Sequence, residues 1–102
     1  MIRINKSIPH TPRPRFLLGA VCGTPRALAA IECAGEGIAD LLQRHQSGDW
    51  GEICTEDAQL NEQAIHEGSR IMSVYRLRNG MIVWCITEAD RCGTTFLLPD
   101  EY

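Results

Sequence analysis

A single α+β domain is the fold this sequence predicts, and three observations predict it. The chain has 102 residues, of which 44% are hydrophobic, a size that suits one core and not two. Its middle third places apolar residues at helical spacing between Gly and Pro stops. Its last third changes near Arg70 to β-rich runs separated by Asn79-Gly80, a strong short-range hairpin signal. The predicted order is β-α-α-α-β-β-β, an antiparallel sheet with the helices on one face.

Residues 1–15 read as a flexible basic arm, and 16–102 as the domain. Pro9, Pro12 and Pro14 remove backbone donors and hold their predecessors extended, which excludes a helix there. Phe16 to Cys22 is an apolar run of strand length, ended by Gly23. Thr24 then reads as an N-cap, with Pro25 at the first helical position. Ala27, Leu28 and Ile31 give this helix its apolar stripe, and Gly35 closes it. A second helix, from Ile38 to His45, buries Ile38, Leu41 and Leu42. Ser47-Gly48-Asp49-Trp50-Gly51 interrupts it. A third starts at Thr55, with Glu56 and Asp57 where the helix dipole favours anions, and ends at Gly68.

The strands follow. Arg70 to Arg78 and Met81 to Glu88 pair across a two-residue turn at Asn79-Gly80. In that register Tyr75 faces Trp84, Leu77 faces Ile82 and Ser73 faces Ile86. Ile71, Tyr75, Leu77, Ile82, Trp84 and Ile86 then share the face expected to receive the helices. Arg76, Arg78, Val83, Cys85 and Thr87 occupy the other. A turn at Glu88–Gly93 leads to a last strand, Thr94 to Leu98, stopped by Pro99.

Charge is distributed unequally behind a net −3. Arg3, Lys6, Arg13 and Arg15 give the first fifteen residues +4, and the other 87 residues, with six basic and thirteen acidic side chains, carry −7. The arm leaves a weak nucleic-acid contact open, but four charges neutralise only a few phosphates and the acidic body opposes a duplex. A protein partner is favoured over nucleic acid. Oligomeric state is not legible. Cysteines at 22, 33, 54, 85 and 92 form no CxxC pair, so neither a zinc site nor a disulfide framework is indicated. They read as reduced thiols of a cytoplasmic protein. No window approaches the roughly 18 apolar residues of a membrane span, and no secretory signal opens the chain.

His45-Gln46-Ser47-Gly48-Asp49-Trp50-Gly51 and Ile86-Thr87-Glu88-Ala89-Asp90-Arg91 stand out. With Thr94-Thr95 and Leu97-Leu98-Pro99-Asp100-Glu101-Tyr102, they resemble a family of small proteins of unknown function encoded on bacterial plasmids and integrative elements. The resemblance spans about residue 16 to the end. It implies a plasmid-related accessory protein and identifies no activity.

Candidate chemistry is sparse. His45 beside Asp49 has the makings of a general base with a carboxylate orienter. The bland alternative is a helix-terminal His next to a Gly-Asp turn with Trp50 turned into the core. Glu88, Asp90 and Arg91 stand at a hairpin corner, where Arg91 could hold an anion or a local carboxylate. If the loop after the second helix folds over that corner, Asp49 meets Arg91. Asp49, Trp50, Asp90 and Arg91 are thus the candidate binding residues. Asp57 and Asn61 are too few for a hard-metal cage, and Gly35-Glu36-Gly37 lacks the lysine and spacing of a phosphate loop. No cofactor or metal is indicated. Two functions follow: macromolecular binding without catalysis, or a small metal-independent, RNase-like hydrolase. In the second, His45 is base, Glu88 acid and Arg91 phosphate clamp.

Overall fold

The computed structural model describes residues 2–4 and 14–102. Among these, the elements in chain order are β1 (Ile2–Ile4), β2 (Ala20–Gly23), α1 (Pro25–Cys33), α2 (Ile38–Ser47) and α3 (Thr55–Glu67). They are followed by β3 (Ile71–Arg76), β4 (Ile82–Thr87), β5 (Gly93–Leu97) and a 3-10 turn at Pro99–Glu101. The α+β class and the predicted order from residue 16 onward hold. The strands form one sheet in the order β1-β2-β5-β4-β3. Neighbours are antiparallel except β2 and β5, which the three intervening helices allow to run parallel. No helix among the described residues is long and apolar enough to cross a membrane.

Met1 and residues 5–13 of the predicted arm lie outside the described residues. Its other parts depart from an unstructured tail. Ile2–Ile4 pairs with Val21–Gly23, and Arg15 forms a fork with Glu62 of α3 at 2.6 and 3.0 Å. The expected strand over Phe16–Cys22 begins only at Ala20, because Phe16 turns inward and packs its ring against His45 and Trp50.

Local rules account for the helix ends. The Thr24 hydroxyl oxygen accepts from the Ala27 amide at 3.0 Å and caps α1. Gly48 and Gly68 end α2 and α3 in the left-handed conformation. The buried stripe of α2 is Leu41, Leu42, His45 and Gln46.

The hairpin forms at the predicted place with a different turn. Asn79 keeps a negative φ, so the two-residue turn with two left-handed residues is not made. Instead Gly80 alone adopts φ +86°. The Gly80 amide donates to Leu77 O at 2.9 Å, and the Leu77 amide donates to Met81 O at 2.8 Å. Three residues, Arg78-Asn79-Gly80, therefore make the loop. The register moves by one: Tyr75 faces Val83, Val74 faces Trp84, and Ser73 faces Cys85.

A one-residue slip exchanges the faces of one strand relative to its neighbour. The helices accordingly pack on Ile71, Ser73, Tyr75 and Leu77 together with Val83, Cys85 and Thr87, all buried. The main core joins Ala27, Ala30, Ile31, Leu41 and Leu42 to Tyr75, Leu77, Val83, Cys85 and Phe96. A second cluster joins Phe16, Trp50, Ala64 and Ile71. Ile82, Trp84 and Ile86, expected under the helices, lie on the opposite face.

Candidate functional site

His45 is fully buried on the inner face. Its Nδ1 lies 2.6 Å from Ser73 Oγ and its Nε2 2.9 Å from Thr87 Oγ1. Thr87 Oγ1 lies 2.7 Å from Thr94 Oγ1, which donates to the Leu18 carbonyl at 2.8 Å. The carbonyl can only accept, and this sets the directions as far as His45 Nε2, while the neutrality that burial imposes on the ring leaves Nδ1 to accept. Thr94 uses its one proton on Leu18, so it accepts from Thr87. Thr87 then accepts from His45 Nε2–H, and Nδ1 accepts from Ser73. The imidazole is thus the neutral Nε2–H tautomer. Burial, with a smaller contribution from the Arg91 charge, lowers its pKa to about 3. A general base needs an accessible lone pair, and both ring nitrogens here are engaged inside the core.

Arg91 holds the β4–β5 corner and adopts φ +60°. Its guanidinium donates to Ser69 O at 2.6 Å, Ala64 O at 2.8 Å, Glu88 O at 3.0 Å and Ala89 O at 3.2 Å. It closes the carbonyl end of α3 and fastens it to the sheet corner. Its donors are directed at main-chain oxygens, which leaves no clamp aimed at a substrate phosphate.

Glu88 and Asp90 are exposed. Asp90 Oδ1 accepts from the Cys92 amide at 3.0 Å, and bonds from the Cys92 thiol and amide hold its carboxyl below the usual range. The structure therefore does not assemble His45, Glu88 and Arg91 as base, acid and clamp.

Asp49 and Arg91 do not meet either. Arg44 Nε donates to Asp49 Oδ2 at 2.7 Å and its Nη2 to Oδ1 at 3.3 Å, and this pairing lowers the Asp49 pKa. Arg44 also lies 4.4 Å above the Tyr75 ring, whose hydroxyl donates to Asp49 O at 2.7 Å. One turn of α2 thus ties its own following loop. Trp50 turns inward and is buried. Its carbonyl accepts from the Val74 amide at 2.9 Å, and the Glu52 amide donates to Val74 O at 2.7 Å. These bonds cap edge strand β3 at Gly51. A side chain at Gly51 would put its Cβ 1.9 Å from Val74 O, so this approach requires glycine.

Asn61 clamps α3 to the same strand through the Met72 backbone, donating at 2.8 Å and accepting at 3.2 Å. It is no metal ligand. Among the described residues no group of three or more His, Cys, Asp or Glu side chains is placed to hold a metal ion.

The surface that remains is the outer face of the sheet. Register places Val74, Trp84 and Leu97 in one row, and Met72, Ile86, Thr95 and Cys22 in the next. Met72, Val74, Ile82 and Trp84 are half-buried and belong to neither core cluster, while Ile86 and Leu97 between them are buried. The Tyr102 ring lies edge-on to Trp84, with centroids 5.3 Å apart. Arg70 sits 5.2 Å above the Tyr102 ring and donates to its hydroxyl. At the other end of β3, Arg76 forms a fork with Glu52 at 2.9 and 3.2 Å.

One sequence signal pointed to this face. Ile82-Val83-Trp84-Cys85-Ile86 is apolar at every position, the composition of a strand flanked on both sides.

No family model, curated protein or solved structure matches this chain.

Proposed function

We propose that this is a cytoplasmic accessory protein of a bacterial mobile element that acts by binding a protein partner rather than by catalysis. The observation that carries the reading is the outer sheet face. Helices bury one side of the sheet, while the other presents Met72, Val74, Ile82 and Trp84, all half-buried, and a Tyr102 that is 63% exposed. Half-exposed apolar side chains gathered on one sheet face beside an exposed aromatic ring mark an interaction site. The mobile-element assignment rests on the resemblance carried by the Gly48-Asp49-Trp50-Gly51 and Thr87–Arg91 segments. The cytoplasmic assignment rests on five free thiols.

The residues of the expected catalytic set have structural work: His45 in a buried hydrogen-bond chain and Arg91 at a helix end. The β4–β5 corner, expected to bind, serves to fasten α3.

Affinity purification from the host compares the wild type with Trp84→Lys, Val74→Lys and Asp90→Ala. A stoichiometric protein lost with both lysine variants and kept with Asp90→Ala is expected. The same recovery from all four, or loss with Asp90→Ala alone, overturns the reading.

A further inference from the structure

We infer that the outer sheet face takes an apolar polypeptide segment carrying a carboxylate, with Arg70 as the residue that pairs with it. The inference rests on the protein-binding reading above and names the chemistry of the partner.

Charge separates Arg70 from the other arginines of residues 14–102 except Arg78, which lies past the far end of β3 and donates to Gly35 O at 3.5 Å. Arg15 pairs with Glu62, Arg26 with Asp100, Arg44 with Asp49 and Arg76 with Glu52. Arg91 is directed at carbonyls. Among the described residues Arg70 has no carboxylate partner and donates to the neutral hydroxyl of Tyr102. Continuing the β3–β4 register sets Glu88 opposite Arg70, yet the two form no ion pair. Arg70 therefore presents a cation at the margin of an apolar surface. Docking a segment there would shield the pair from water, and charge-assisted bonds strengthen on such shielding.

The apolar half of the requirement comes from the strip itself. Met72, Val74 and Ile82, all half-buried, offer aliphatic contact, and Trp84 and Tyr102 add aromatic edges that commonly anchor interfaces. Nucleic acid fits less well. A phosphate backbone brings a charge with every nucleotide against Glu88, Asp100 and Glu101, whereas a segment with a single carboxylate needs only Arg70 to receive it. A second copy of the chain would bring its own Arg70 and its own Glu88 to the face together, and so no net negative charge to complement Arg70.

Selection of random twelve-residue peptides against the wild type, counter-selected on Trp84→Lys, supplies a probe. Enriched peptides should combine two or more large apolar residues with Asp or Glu. Fluorescence anisotropy with one such labelled peptide should show binding weakened at least tenfold by Arg70→Glu. Replacing the peptide's acid with Lys should restore it on Arg70→Glu.

Val74→Lys serves as the second face variant if Trp84→Lys does not fold. Peptides that need Trp84 but lack an acid and ignore Arg70→Glu overturn this inference and leave the protein-binding reading standing. A failure to enrich any peptide dependent on the face overturns both. Self-association in sedimentation equilibrium that Trp84→Lys abolishes, or face-dependent binding of a labelled dT12 oligonucleotide, also overturns the inference in favour of those occupants.

Discussion

The Nε2–H of His45 donates to Thr87 Oγ1 across 2.9 Å within the core, and this bond ties α2 to the end of the interior strand β4. Because Thr94 must donate to Leu18, the bond has a fixed direction. Nitrogen NMR should therefore find His45 neutral at pH 7, with the proton on Nε2 and unprotonated Nδ1. An Nδ1–H signal for this ring would contradict the hydrogen-bond chain.

The same burial predicts a pH dependence. The folded pKa is depressed from 6.5 to about 3, so the unfolded chain binds a proton that the folded one refuses. The contribution is fully present above about pH 6.5 and is lost as pH falls toward the folded value, at up to about 1.4 kcal/mol per unit. Urea unfolding at pH 5 should give a stability roughly 1–2 kcal/mol below that at pH 7. In His45→Gln the difference between those two pH values should largely disappear, even if the variant is less stable throughout. An equally steep profile in that variant would assign the effect to other groups.

Arg91 yields a prediction with two parts. Arg91→Ala removes the donors to Ala64 and Ser69 and should cost about 1–3 kcal/mol. Arg91→Gly loses the same donors but tolerates φ +60°, so it should be the more stable variant by about 1 kcal/mol. Chemical denaturation of the pair checks this. Two variants as stable as the wild type would mean that the corner does not fasten α3.

Much of this was legible from local chemistry. Thr24 with Pro25, Gly48 and Gly68 each announce a helix end by a short-range rule, and all act there. The hairpin was visible in Asn79-Gly80, but its register was not. It turns on whether Asn79 adopts a positive φ, and β4 could not arbitrate, because it is apolar on both faces. Long-range features left less trace. His45 finds its partners 28 and 42 residues away, so the sequence displayed a histidine beside an aspartate and gave no sign that a serine and a threonine would enclose it. Ile2–Ile4 likewise becomes a strand only through its partner, β2.

The register itself is the most direct point to test, because it assigns adjacent residues of one strand opposite fates. Val83 is fully buried between Tyr75 and the helices, and Trp84 is half-buried on the outer face. With the two-residue turn the assignments would reverse, and Trp84 would lie under the helices. Val83→Lys places an ammonium in the core, where an unpaired charge costs several kcal/mol. A domain of this size has about 5–15 kcal/mol of total stability, so this variant should be unfolded or close to it by circular dichroism. Trp84→Lys loses apolar contact with Tyr102 but lets its long side chain reach water. It should keep a cooperative transition and lose no more than about 1–3 kcal/mol. A folded Val83→Lys with an unfolded Trp84→Lys would exchange the faces, and with them the location of the proposed binding surface.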